Sequence, residues 1–148
     1  MEHGPSYSSH PDRFTECPQV LSGEGLSGRC YWEVEWSGRE VRVAVAYENI
    51  SRAGGERGFG DSDTSWALDC NKNCFIFRHN GILTPVSGPP SSRVGVYVDH
   101  RAGVLSFYSV VSEATTLLHR VQTAFTRPLR AGLRLYFYGD TAEFCKLK

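Results

Sequence analysis

Between Cys30 and Trp36 the character of the side chain changes at every position. Cys30, Trp32, Val34 and Trp36 are apolar, while Tyr31, Glu33 and Glu35 carry polar groups between them. A strand sends successive side chains to opposite faces, whereas a helix would scatter these residues around its circumference. The segment is therefore a strand with one buried and one wet face. Ser37, Gly38 and Arg39 supply a turn, and Val41 to Tyr47 alternates again, so the two runs form a hairpin. Ala44 and Ala46 fall on one face of the second strand and predict a layer or bulky group approaching closely there.

The same grammar continues to the end of the chain. Thr64 to Asp69 and Asn73 to Arg78 read as strands around a turn at 71–73, followed by a turn-rich loop from Asn80 and Gly81 through Pro85 to Pro90. Arg93 to Asp99 and Val104 to Val110 flank a turn at 100–103. Thr116 to Val121 reads as a strand, although its leucine spacing also allows one helical turn. Leu129 to Tyr138 and Ala142 to Leu147 close the chain across Gly139 and Asp140. Many short strands at this spacing, with no amphipathic helix, predict an all-β sandwich or barrel. The three tryptophans, Trp32, Trp36 and Trp66, are expected in its core. Phe77 is expected there too, and Phe75 either there or at a binding surface.

Bulk composition removes several functions. The chain of 148 residues has 16 Lys+Arg and 16 Asp+Glu, so it lacks the basic excess with which proteins neutralise nucleic-acid phosphates. No apolar run reaches the ~18–20 residues that span a bilayer, so no membrane insertion is expected. The first ten residues lack the apolar centre of an export signal, and a cytoplasmic location is expected. Cys17, Cys30, Cys70, Cys74 and Cys145 are odd in number and irregular in spacing, which predicts thiols in a reducing compartment. Cys70 and Cys74 lie near His79 but lack a second ligand pair, so no metal or other cofactor is expected. No nucleophile elbow organises the serines and histidines, and the glycines at 54–60 match neither a phosphate-cradling loop nor a dinucleotide fingerprint. No catalytic residue is expected. The sequon Asn49, Ile50, Ser51 has meaning only on an exported chain.

Specific residues narrow the fold further. Pro11 to Phe14, Gln19 to Leu21 and Gly28 to Glu35 closely resemble a PRY–SPRY (B30.2) domain. Ser65 to Leu68, Arg93 to Tyr108 and Phe125 with Pro128 and Leu129 resemble later motifs of that family in the same order. The resemblance runs from about residue 10 to 148, with residues 1–9 a disordered lead-in. It departs from the family in two places. The PRY part is largely missing, apart from its tail around Asp12 to Phe14, and a family turn reads Val98, Asp99, His100, Arg101 here.

The resemblance implies a bent sandwich of two antiparallel sheets, of the concanavalin-like jelly-roll type, that recognises another protein or peptide and is not an enzyme. Such domains belong to larger tripartite-motif (TRIM) ubiquitin ligases and innate-immune receptors, whose parent chains can oligomerise through a coiled coil. The alternative parent is a secreted pore-forming toxin. Family binding loops map onto residues 48–63, with Glu48, Arg52, Arg57 and Phe59, and onto Arg42, Asp69, Asn71, Phe75 and Tyr138. These residues are expected to form one rim.

Overall fold

A computed structural model describes residues 14–15, 29–47 and 62–145, the first pair as backbone only. Eleven strands form two sheets, and all the pairings are antiparallel. In chain order they are β1 (Phe14–Thr15), β2 (Arg29–Ser37), β3 (Glu40–Tyr47), β4 (Ser65–Asn71), β5 (Phe75–His79) and β6 (Ile82–Val86). They continue with β7 (Arg93–Asp99), β8 (Val104–Val111), β9 (Ala114–Gln122), β10 (Leu129–Leu135) and β11 (Thr141–Cys145). One sheet has the order β1-β10-β3-β4-β5-β6 and the other β11-β2-β7-β8-β9.

The alternation of β2 becomes burial. Cys30, Trp32, Val34 and Trp36 enter the core, whereas Glu35 is exposed. Val41, Val43 and Val45 of β3 face them from the other sheet, with Val94, Val96, Leu105 and Phe107 closing the same cluster. Trp66 stacks on His79 at 5.0 Å and meets Phe125 edge-on at 5.3 Å, which seals the end near Tyr47. The three tryptophans and Phe77 are in the core as expected, and Phe75 joins them at 1% exposure.

Two sequence expectations change, and the strand reading of 116–121 is borne out with wider bounds. The loop drawn from residue 80 to 90 contains β6, paired with β5 across an Asn80–Gly81 turn with both residues at positive φ. Pro85 obscured this strand, but it sits on an edge strand, where a missing N–H is tolerated. Residues 114–122 are one strand, with a register irregularity opposite Phe107 and Tyr108 that explains their mixed periodicity. Cys30 is disulfide-bonded, which corrects the reading of all five cysteines as thiols; Cys70, Cys74 and Cys145 are free. The lead-in at 1–9 lies outside the described residues.

His119 of β9 stacks on Phe77 at 4.1 Å, and burial lowers its pKa from the ordinary value. The folded state thus favours neutral imidazole, so stability is full above the unfolded value of about 6.5 and declines as pH falls through it. Urea midpoints at pH 7.5 and pH 5 should diverge more for the wild type than for His119→Phe. Equal divergence would remove His119 as the cause.

Candidate functional site

On β3 the residues that alternate with the core set face outward from the six-stranded sheet, yet they are buried. Arg42 is 7% exposed, and Ala44 and Ala46 are fully covered. The alanines form a small separate cluster with Ala67, in keeping with the close approach expected from their size. Strand register assembles the rest of this face. One row runs Arg134, Arg42, Asp69, Ile76, Pro85, and the next Gly132, Ala44, Ala67, Arg78, Leu83.

Asp69 is the centre of this face. It is 4% exposed and accepts from Nε and Nη2 of Arg42, directly opposite on β3. From β5, Arg78 donates to the same carboxylate, with Nη2 at 3.0 Å and Nε at 3.3 Å. An isolated buried carboxylate would be costly, and charge-assisted hydrogen bonds from two guanidiniums offset that cost. The cluster continues towards β10, where Tyr136 lies under the guanidiniums of Arg42 (5.2 Å) and Arg134 (5.5 Å). Burial pushes the Tyr136 phenol above its ordinary pKa. Burial also raises the Glu40 carboxyl, and the neighbouring Asp69 adds to the effect.

Around this polar floor the face is apolar. Leu83 is 48% exposed at the β6 edge and Tyr136 39% exposed at the β10 end, with Ile76 half-buried between. A desolvated polar centre with exposed aromatic and aliphatic flanks suits the docking of another protein surface.

The candidate residues separate under this geometry. Arg42 and Asp69 are brought together as the floor, and Asn71 lies on the same sheet opposite Glu40. Asn71 Oδ1 caps the backbone amides of Asn73 and Cys74 at 2.8 and 2.9 Å, so it shapes the β4–β5 turn. Tyr138 is fully exposed in the β10–β11 turn. Phe75 is corrected: it pairs with Cys70 and Val86 on the inward row and fills the core. Glu48, Arg52, Arg57 and Phe59 lie outside the described residues. The anchors of their loop, Tyr47 and Ser62, sit at the opposite end of β3 and β4 from Asn71 and Tyr138. The separation is about 20–25 Å along the strands. Of the described rim candidates, Arg42 and Asp69 lie on the sheet face, and Asn71 and Tyr138 lie at turns at one end of it.

Tyr136, Arg78, Ile76 and Leu83 were missed. Arg78 and Leu83 become legible once Asn80–Gly81 is taken as a two-residue hairpin turn, because that fixes their register opposite one another.

The SPRY domain family model matches residues 29–146. The chain belongs to the SPRY family. It is 40% identical to stonustoxin subunit alpha of Synanceia horrida over 86% of this chain and 19% of that protein. With tripartite motif-containing protein 16 of Mus musculus the identity is 36%, over 87% of this chain and 24% of the relative. The crystal structure of the TRIM65 PSpry domain superposes with a TM-score of 0.72 at 28% identity, covering 82% of this chain and 66% of that one. The chain thus spans a quarter or less of those two full-length relatives. SPRY domains are protein-interaction modules and not catalysts. Among the described residues, no helix is long and apolar enough to cross a membrane.

Asp69→Ala should destabilise the domain by about 3–5 kcal/mol, because it removes the carboxylate that two guanidiniums share in a desolvated site. Urea denaturation measures this. A loss below about 1 kcal/mol would mean that Asp69 does not hold the face together.

Proposed function

We propose that the outer face of the six-stranded sheet is the surface with which this SPRY domain recognises its protein partner. The observation that carries the reading is the buried Arg42–Asp69–Arg78 cluster flanked by exposed Leu83 and Tyr136. A rigid sheet presenting a fixed polar centre loses little entropy when a partner docks.

The larger role we propose is target recognition within a TRIM-type ubiquitin ligase or innate-immune receptor, cytoplasmic and oligomerised by a coiled coil elsewhere in the parent chain. Support comes from the likeness to the tripartite-motif protein and to the TRIM65 domain. A second reading, a module of an exported toxin, draws on the stonustoxin likeness and on the disulfide at Cys30, since disulfides persist in oxidising compartments. Domains encoded beside this segment in the full gene separate the two: a RING and coiled coil favour the ligase.

Leu83→Asp and Tyr136→Ala should each reduce capture of a wild-type partner about tenfold or more, with melting temperature unchanged. Leu117→Asp, on the outer side of the other sheet, should leave capture intact. Retention of the partner by both face variants would refute the surface.

A further inference from the structure

Three turns converge at the end of the sandwich remote from Tyr47. They are the β2–β3 turn with Gly38 and Arg39, the β4–β5 turn at 72–74, and the β10–β11 turn at 136–140. Strand register sets them side by side, since Leu135 pairs with Val41 and Glu40 with Asn71. Asp140 ties two of them together. It is 5% exposed, and its carboxylate accepts from the backbone N–H of Arg39 at 2.9 Å and of Glu40 at 3.4 Å. Gly38 leaves room for it, because a Cβ there would lie 2.1 Å from Asp140 Oδ1. The β10–β11 turn is closed by Asp140 N–H on Phe137 C=O at 3.0 Å, with Gly139 at φ +94°.

This construction turns the carboxylate inward and the aromatics and cations outward. Phe137 is 40% exposed under the Arg39 guanidinium (5.0 Å), and Tyr138 stands fully clear of the protein. Arg39 and Lys72 are exposed, and Glu40 is half-buried. Of the exposed carboxylates towards this end, Glu35 and Glu143 pair on β2 and β11 and face outward from the five-stranded sheet, and Glu113 lies across that sheet on the β8–β9 turn.

We propose that this end docks peripherally on an anionic lipid surface, with Phe137 and Tyr138 entering the headgroup layer and Arg39 and Lys72 pairing with lipid phosphates and carboxylates. Two features select a membrane over an acidic protein. Tyr138 is fully exposed on the β10–β11 turn, and a deformable interface can close around such a side chain without a preformed pocket. Its apolar ring with a polar tip also matches the preference of tyrosine for the membrane–water boundary. Each exposed cation near an anionic leaflet is worth about fivefold in binding. The site adjoins the sheet face of the proposed protein surface at Tyr136 but uses different residues, so either reading stands if the other fails.

The full chain is sedimented with vesicles of phosphatidylcholine alone and of phosphatidylcholine with about 30% phosphatidylserine. Binding is expected only to the anionic vesicles. It should weaken about tenfold or more in Arg39→Glu/Lys72→Glu and several-fold in Phe137→Ala/Tyr138→Ala, with melting temperatures held. Leu83→Asp should bind like the wild type. No binding to anionic vesicles, or binding that these variants leave unchanged, overturns the proposal. Capture of soluble polyglutamate with the same variant dependence, but not of vesicles, also overturns it and assigns this end to an acidic protein.

Discussion

Strand β3 is covered on both sides, and the domain is organised around that constraint. Its inward residues, Val41, Val43 and Val45, pack into an apolar core. Its outward residues include an arginine, and an outward arginine at 7% exposure has to be matched electrostatically. Asp69 on the adjacent strand supplies the match, and Arg78 completes it from the strand beyond. The ion cluster thus links three neighbouring strands through their side chains, in addition to their backbone ladder. It also fixes where the surface can be polar and where it must be apolar.

On the proposed binding surface, that linkage would connect folding to recognition. The groups that give the outer face its shape are too deeply placed to reach far towards a partner, so they act as a floor. Reach belongs to Leu83 on one side and to Tyr136 on the other, and Tyr136 is itself oriented by the arginines beneath which it lies. The aromatic turn beyond Tyr136 is built independently, on Asp140 and the backbone amides of Arg39 and Glu40. The two surfaces share a boundary at β10 but rest on different interactions.

The sandwich was legible because its strongest signals are local. Period-two alternation at 30–36, and the paired runs at 93–99 and 104–110, need no knowledge of tertiary contacts. Strand β6 was hidden because Pro85 argues against a strand unless its edge position is known, and that position depends on the fold. Phe75 shows the same limit. Its residue type fits an interface anchor, and only its pairing with Cys70 turns it inward. Arg42 and Asp69 were found through family resemblance, but residue identity did not reveal their mutual contact, since they are 27 residues apart.

The central claim is that Arg42 and Asp69 act as a unit. A double-mutant cycle on urea-unfolding free energies, with Arg42→Ala, Asp69→Ala and the double variant, measures this directly. A coupling of about 1 kcal/mol or more is expected, with the double variant costing clearly less than the sum of the single ones. Additivity within about 0.3 kcal/mol would contradict it.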